Sequence, residues 1–377
     1  MSLFIKAGSR ILVMLVMVAA LAPARVPAQT PPPSALINQR SDEAVEAARA
    51  VSPHTNESTL AYFKDELEAA VEEATQRVWD PTAPRQPSPR TPWGAPDLRG
   101  YWLSVNYVPM ERPDELAGKP LYTVEEAIDV FARQVLADAA VDPSTVHYDW
   151  KEFGMGSWQS PMIPNRRTSA IVDPPDGKLP RLTAQGRAQY EKAQARVANL
   201  ESRSLFERCI AGNQGPPRVP SIRNYGESQI VQTPDYVVIL TQVNSEVRIV
   251  PLDGRTPYPD NIRPWLGASR GHWEGDTLVV ETKNFHEQRK WMRIRGAGPN
   301  LHLVERYTRV ADDLLLYEAT LTDPTTWEAP WTYEIPWPKM EPPGLFEFAC
   351  HEKNYGLINV IRGAKVREAE YESELAR

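Results

Sequence analysis

Arg270-Gly271-His272-Trp273-Glu274-Gly275-Asp276-Thr277-Leu278-Val279-Val280-Glu281-Thr282 is the stretch that decides the fold. A Glu-Gly-Asp turn separates two runs of strand-forming residues, which is the pattern of a β-hairpin. Glu274 and Asp276 have a backbone reason to be there, because Asp and Gly favour tight turns.

The same punctuation continues in both directions. Downstream, Leu301 to Val310 and Leu314 to Leu321 read as a second hairpin turned by Ala311-Asp312-Asp313, and Trp331 to Trp337 and Leu345 to His351 read as further strands. Upstream, Ile230 to Thr233, Tyr236 to Gln242 and Val247 to Val250 read as strands, the last closed by Asp253-Gly254. Gly100-Tyr101-Trp102 opens a strand near the start of the folded body, and Ile171-Val172 precedes an Asp176-Gly177 turn. Short antiparallel strands at this spacing predict a mainly β fold: a barrel or a strongly curved sheet with peripheral helices.

Two helices interrupt the pattern. Thr123 with Glu126 is a capping box ahead of Ala127, Ile128, Phe131 and Val135, predicting a helix over 124–140. A second is predicted over 184–201. Leu60, Phe63, Leu67, Ala70, Val71, Ala74 and Val78 recur at helical spacing and predict an amphipathic helix before the β body.

The first residues predict export. Lys6 and Arg10 precede the apolar run Ile11 to Leu21, and Val26-Pro27-Ala28 offers a small-residue cleavage site. That run is shorter than the roughly 20 residues a membrane span needs. The expected organisation is a signal peptide at 1–28, a Pro-rich leader, helix and linker at 29–90, a β-rich domain at 91–365 and a tail at 366–377. The expected address is periplasmic or secreted, with no stable membrane span after cleavage.

The chain has 377 residues, 36 Pro, 11 Trp and 14 Tyr, with a net charge of -7. That acidity gives no reason to expect a nucleic-acid partner, which usually shows as a basic patch. Cys209 and Cys350 are the two cysteines, and in an oxidising compartment they read as one disulfide.

Several segments carry a resemblance. Gly100-x-Trp102 resembles the first strand of lipocalin-like barrels, in which the Trp closes one end. The hairpin motif, with Thr91-Pro92-Trp93-Gly94-Ala95-Pro96-Asp97-Leu98, Ile171 to Gly177, Pro251 to Arg255, Asn300 to Tyr307 and Cys350-His351-Glu352-Lys353-Asn354-Tyr355, resembles a widespread family of exported bacterial proteins, mostly uncharacterised. The resemblance spans about residues 91–365 and implies a fold and an address rather than an activity. Family members often carry a Glu and a His before the Pro-Leu-Asp-Gly-Arg motif and another His after it. This chain has Gln242, Ser245 and Pro257 at what look like those places.

Six histidines are present: His54, His147, His272, His286, His302 and His351. His272, His302 and His351 fall on expected strands inside the motifs. They are candidates for acid/base or metal chemistry, or for structural hydrogen bonding. Alternation puts His302, Val304 and Arg306 on one face and Leu303, Glu305 and Tyr307 on the other. Glu305 beside Arg306 is also a candidate ion pair. Trp331, Tyr333, Ile335 and Trp337 share a face, either walling a ligand cleft or forming core. Arg306, Glu347, Asn354 and Tyr355 are the remaining candidates for a polar lumen or a barrel mouth.

No metal-ligand spacing, phosphate loop, dinucleotide fingerprint or nucleophile elbow is present, so the sequence names no cofactor. Two functional expectations follow. The first is an exported barrel holding a small, largely apolar organic molecule, with Arg306, Trp331, Tyr333, Trp337 and Tyr355 as contacts. The second is a periplasmic enzyme acting on a small organic substrate through His272, His302 and His351.

Overall fold

Ten strands form one antiparallel sheet in the order β5-β4-β3-β1-β10-β9-β8-β7-β6, with β2 paired off this path to β10. The strands are β1 (Gly100–Leu103), β2 (Ile171–Asp173), β3 (Glu227–Gln232), β4 (Tyr236–Thr241), β5 (Val247–Pro251), β6 (Ala268–Glu274), β7 (Thr277–Lys283), β8 (His302–Ala311), β9 (Leu314–Thr322) and β10 (Trp331–Met340). The computed structural model describes residues 64–139, 162–194, 200, 203–211, 215–219, 226–256, 258–287, 299–341, 344–352 and 354–375. The expected signal peptide, His54, His147 and Pro257 lie outside the described residues.

The hairpin at the centre of the sequence reading forms as expected. Arg270 pairs with Glu281 and Glu274 with Thr277 around a turn in which Gly275 has φ +60°. That left-handed conformation is nearly free for glycine and costs other residues. Alternation then sorts the two faces. Leu278, Val280, Leu303, Tyr307, Tyr317, Tyr333, Ile335 and Trp337 are buried together on one face. His272, Glu281, His302 and Arg306 take the other.

The sheet is strongly curled, and its edge strands β5 and β6 approach through side chains. Arg248 Nε donates to Ser269 Oγ at 2.9 Å, and a Cβ on Gly271 would lie 2.8 Å from both Val250 and Leu252 side-chain atoms. No ladder pairing joins β5 to β6, so the sheet is not closed into a barrel. Of the two forms expected, a barrel or a curved sheet, the hydrogen bonds define the curved sheet.

Among the described residues four α-helices lie around it: α1 (Lys64–Thr75), α2 (Val124–Ala139), α3 (Ala184–Gln194) and α4 (Tyr355–Leu375). Val71 and Ala74 of α1 and Phe131, Ala132 and Val135 of α2 pack with Leu103, Val105 and Met162 in a second, smaller core. The capping box on α2 is made: Thr123 Oγ1 accepts from the Glu126 N–H at 3.2 Å, and Glu126 Oε2 accepts from the Thr123 N–H at 2.8 Å.

One expectation is corrected. Residues 345–351 form no strand, because they have no ladder partner: the Phe346 N–H donates instead to the Gln242 side chain at 2.7 Å. Residues 355–375 form helix α4, which runs across the boundary placed at 365. Asn354 caps it, with Oδ1 accepting from the Leu357 N–H at 3.2 Å. Cys209 and Cys350 are bonded, tying the segment after α3 to the segment before α4. No described helix is long and apolar enough to cross a membrane.

Candidate functional site

The motif histidines do not converge. His272 Nε2 pairs with Glu274 Oε1 at 3.1 Å, and His302 Nε2 pairs with Glu281 Oε2 at 3.2 Å. Both lie on the outer face of the sheet. His272 is in register with Val279 and Arg306, and His302 stands four residues from Arg306 along β8. Strand spacing and rise then put the two histidines about 16 Å apart. His351 is exposed beside the disulfide, off the sheet altogether. Among the described residues no cluster of three or more His, Cys, Asp or Glu is placed to hold a metal.

Arg306 also lies outward. Its guanidinium bridges Glu274 at 2.9 Å and Glu318 at 3.8 Å. That contact, followed by His272, holds the Glu274 carboxyl below its ordinary range. The ion pair expected between Glu305 and Arg306 is not made. Adjacent residues of a strand point to opposite faces, and Glu305 points inward, fully buried. Glu347 is exposed, and Tyr355 is 62% exposed as the first residue of α4.

The three aromatics expected to wall a ligand cleft are core. Trp331, Tyr333 and Trp337 are no more than 1% exposed. Tyr317 stacks on Trp337 at 4.9 Å between ring centres, and Tyr307 meets both edge-on. These rings fill the interior of the sheet.

At the end of the sheet where β4 turns into β5, the interior becomes polar. Arg248 on β5 pairs with Glu305 on β8 and donates to Thr282 Oγ1 at 2.8 Å. Tyr307 and Tyr317 hydroxyls both donate to Glu305 Oε1, at 3.0 and 2.9 Å. Burial opposes the Arg248 charge, but Glu305 outweighs it and holds the proton more firmly than usual. Burial, then Glu305, pushes the Tyr307 and Tyr317 hydroxyls well above their ordinary values. Glu227, Glu246 and Arg218 are buried nearby, and burial pushes the Glu227 carboxyl up. The cavity lined by Gly215, Pro216, Arg218, Ile239, Thr241, Glu246, Arg248, Leu266 and Tyr307 has a volume of about 10 Å3, room for one water.

Backbone strain gathers at this same end. Cys209, Asn244, Ser245 and Asn284 have φ between +48° and +58°, unusual for residues other than glycine. Gln242 and Ser245 flank the turn between β4 and β5. Gln242 Nε2 lies 3.4 Å from Glu227 Oε2.

The opposite end holds an open cleft of about 580 Å3, lined by Pro89, Asp97, Arg99, Gly100, Tyr101, Arg309, Lys339, Met340 and Glu341. Its floor is the Gly100-x-Trp102 strand. Trp102 is fully buried, donates from its indole N–H to Leu98 O at 2.9 Å and lies 5.8 Å beneath the Arg309 guanidinium. Arg309 donates to the carbonyls of Asp97, Ala311 and Asp312. Asp97 is taken by Arg99 at 2.8 Å, which holds its carboxyl below the usual range. Among the described residues no carboxylate is ion-paired with Arg309 or Lys339.

Sequence reasoning missed both ends. Arg248 sits in Val247-Arg248-Ile249-Val250, where the inward residue is the charged one and Ile249 is 59% exposed. Its signal was the alternation with Val250. Lys339 and Arg309 lie at strand ends, where no periodicity marks them. A scan against protein-family models finds no match for the chain, and a search of curated proteins finds none either.

Proposed function

We propose that this chain is an exported protein that binds a small organic anion with an apolar body, seated in the open cleft beside β1 and β10. The observation that carries the proposal is the cleft itself. Its volume of about 580 Å3 falls in the range of small-molecule sites, and its lining sets three cations, Arg99, Arg309 and Lys339, against two carboxylates, Asp97 and Glu341. Tyr101 and Met340 offer apolar surface for the body of the ligand, and Lys339 orients its charged group. The filled interior argues for this seat over the interior one that the aromatic strand pattern pointed to.

A lipocalin-like frame is supported by the buried Trp102 under Arg309 and by the approach of β5 to β6. Export is supported by the disulfide, which persists in oxidising compartments. The enzymatic alternative lacks comparable support, since His272 and His302 sit apart on the outer face of the sheet and His351 lies off it.

Titration calorimetry of the full chain against octanoate, benzoate and phenylacetate tests the binding site. At least one should bind saturably, more weakly as salt rises, and Lys339→Glu should weaken it about tenfold or more. Failure of all three to bind, or equal binding by the variant, rejects the proposal. Cell fractionation tests export: the mature protein should leave the cytoplasm.

A further inference from the structure

An antiparallel sheet with one buried face normally turns apolar residues in and polar residues out. The outer face of β7, β8 and β9 follows that rule with Glu281, His302, Arg306 and Glu318. The outer face of β3, β4 and β5 breaks it. Alternation there turns out Val231 on β3, Val238 and Leu240 on β4, and Val247 and Ile249 on β5, while Arg248 is turned in. Register sets them side by side: Val231 is opposite Val238, Val238 opposite Ile249, and Leu240 opposite Val247. Val231, Val247 and Ile249 are 43%, 52% and 59% exposed.

Rings and arginines border this aliphatic centre. Gly100 pairs with Ile230, so Arg99 falls beside Val231, and its guanidinium lies 5.7 Å from the centre of the exposed Trp93 ring. Tyr236 shares the outer face of β4 with Val238, and the Arg255 guanidinium lies 5.5 Å from the centre of its ring. Each arginine is paired at the surface, Arg99 with Asp97 and Arg255 with Asp253. An apolar centre bordered by aromatic residues and arginine is the composition of a protein interface. Strands β1, β3, β4 and β5 are neighbours in the sheet. At about 4.8 Å between strands and about 3.3 Å per residue they span roughly 20 by 20 Å. With side-chain relief and the rim, the accessible area is on the order of 800 Å2, one partner's share of a standard interface.

We infer that the outer face of β3, β4 and β5 is the interface of a homodimer, covered by the same face of a second copy. Its area meets what a stable dimer needs from each partner. A face that pairs with itself must offer both signs of charge, because each residue pair across it occurs twice with the roles exchanged. The rim offers two arginines beside two aspartates. The chain's net charge of -7 opposes the alternative occupant, an anionic bilayer. The inference needs no ligand in the anion cleft.

Sedimentation equilibrium of the purified protein without ligand should give the mass of two chains at about 20 μM, since interfaces of this size hold at micromolar concentration or below. Val247→Lys and Ile249→Lys put a charge at the centre of the face, and each should raise the dissociation constant about a hundredfold or more. Their circular dichroism should match the wild type, because both positions are exposed. Val304→Lys makes the same change on the outer face of β8 and should leave the dimer intact. If a lysine variant does not fold, Ile249→Thr takes its place and should weaken the dimer about tenfold. A monomer at about 100 μM overturns the inference, as does a dimer that tolerates lysine at both positions. Flotation of a monomeric chain with phosphatidylglycerol vesicles, lost in Ile249→Lys, assigns the face to lipid and also overturns it.

Discussion

Glu305 carries more structural consequence than its neighbour Arg306, although the two are adjacent charges in sequence. Glu305 is buried and accepts from Arg248, Tyr307 and Tyr317. Arg306 makes pairs about one-third to one-half exposed, of a kind worth about 1 kcal/mol or less. Glu305→Ala should cost about 3–5 kcal/mol in urea unfolding, because it strands the Arg248 charge in the interior. Arg306→Ala should cost under about 1 kcal/mol. Comparable losses for both would mean that the interior pair is not the one holding the sheet. The buried acids also set a pH response. Burial raises the Glu227 carboxyl above its ordinary 4.5, so the folded chain keeps a proton there that the unfolded chain has released. The stability from this group is full below 4.5 and declines as pH rises through the raised value. Urea unfolding between about pH 4 and pH 8 should show Glu227→Gln lacking that decline. Glu274 works in the opposite direction: held low by Arg306, it stabilises above 4.5 and loses that contribution as pH falls.

At the scale of elements, the hairpins and α2 were legible because their determinants are local. A Gly at a turn, alternation along a strand and a reciprocal cap each act within a few residues. Thr123→Ala should therefore cost about 1 kcal/mol, read as a lowered urea midpoint. Gly186 in α3 shows what local rules omit. Helix propensity favours Gly186→Ala by about 1 kcal/mol, yet a Cβ there would drive into the Thr326 carbonyl of a loop far away in sequence. Gly186→Ala should therefore destabilise the protein in thermal melting; a gain would show that the loop yields. Helix α4 escaped notice because Gly356 and Gly363 dilute its pattern. Residues 345–351 mimicked a strand because alternation was present while a partner edge was not. Strand formation needs that partner, and no pattern within the segment can report it.

For the whole molecule, the Cys209–Cys350 bond closes a long loop, with a sequence separation of 141. Reduction should cost about 5 kcal/mol in the chain-entropy picture, seen as a lower urea midpoint under reductant. An unchanged midpoint would place the stability in the curled sheet alone. By itself the sequence determined the mainly β class, the positions of the hairpins, which residues of a hairpin strand share a face and the disulfide pair. Those follow from turn chemistry, the two-residue period of a strand and the presence of only two cysteines. Tertiary structure alone decided what fills the interior and where concavity remains. The curl of the sheet turns Arg248 and Glu305 toward each other from strands far apart in sequence. It also admits Arg218 from a connecting segment and leaves the open cleft over Trp102. Curvature is summed over every strand pair and loop, so no stretch of residues carries it.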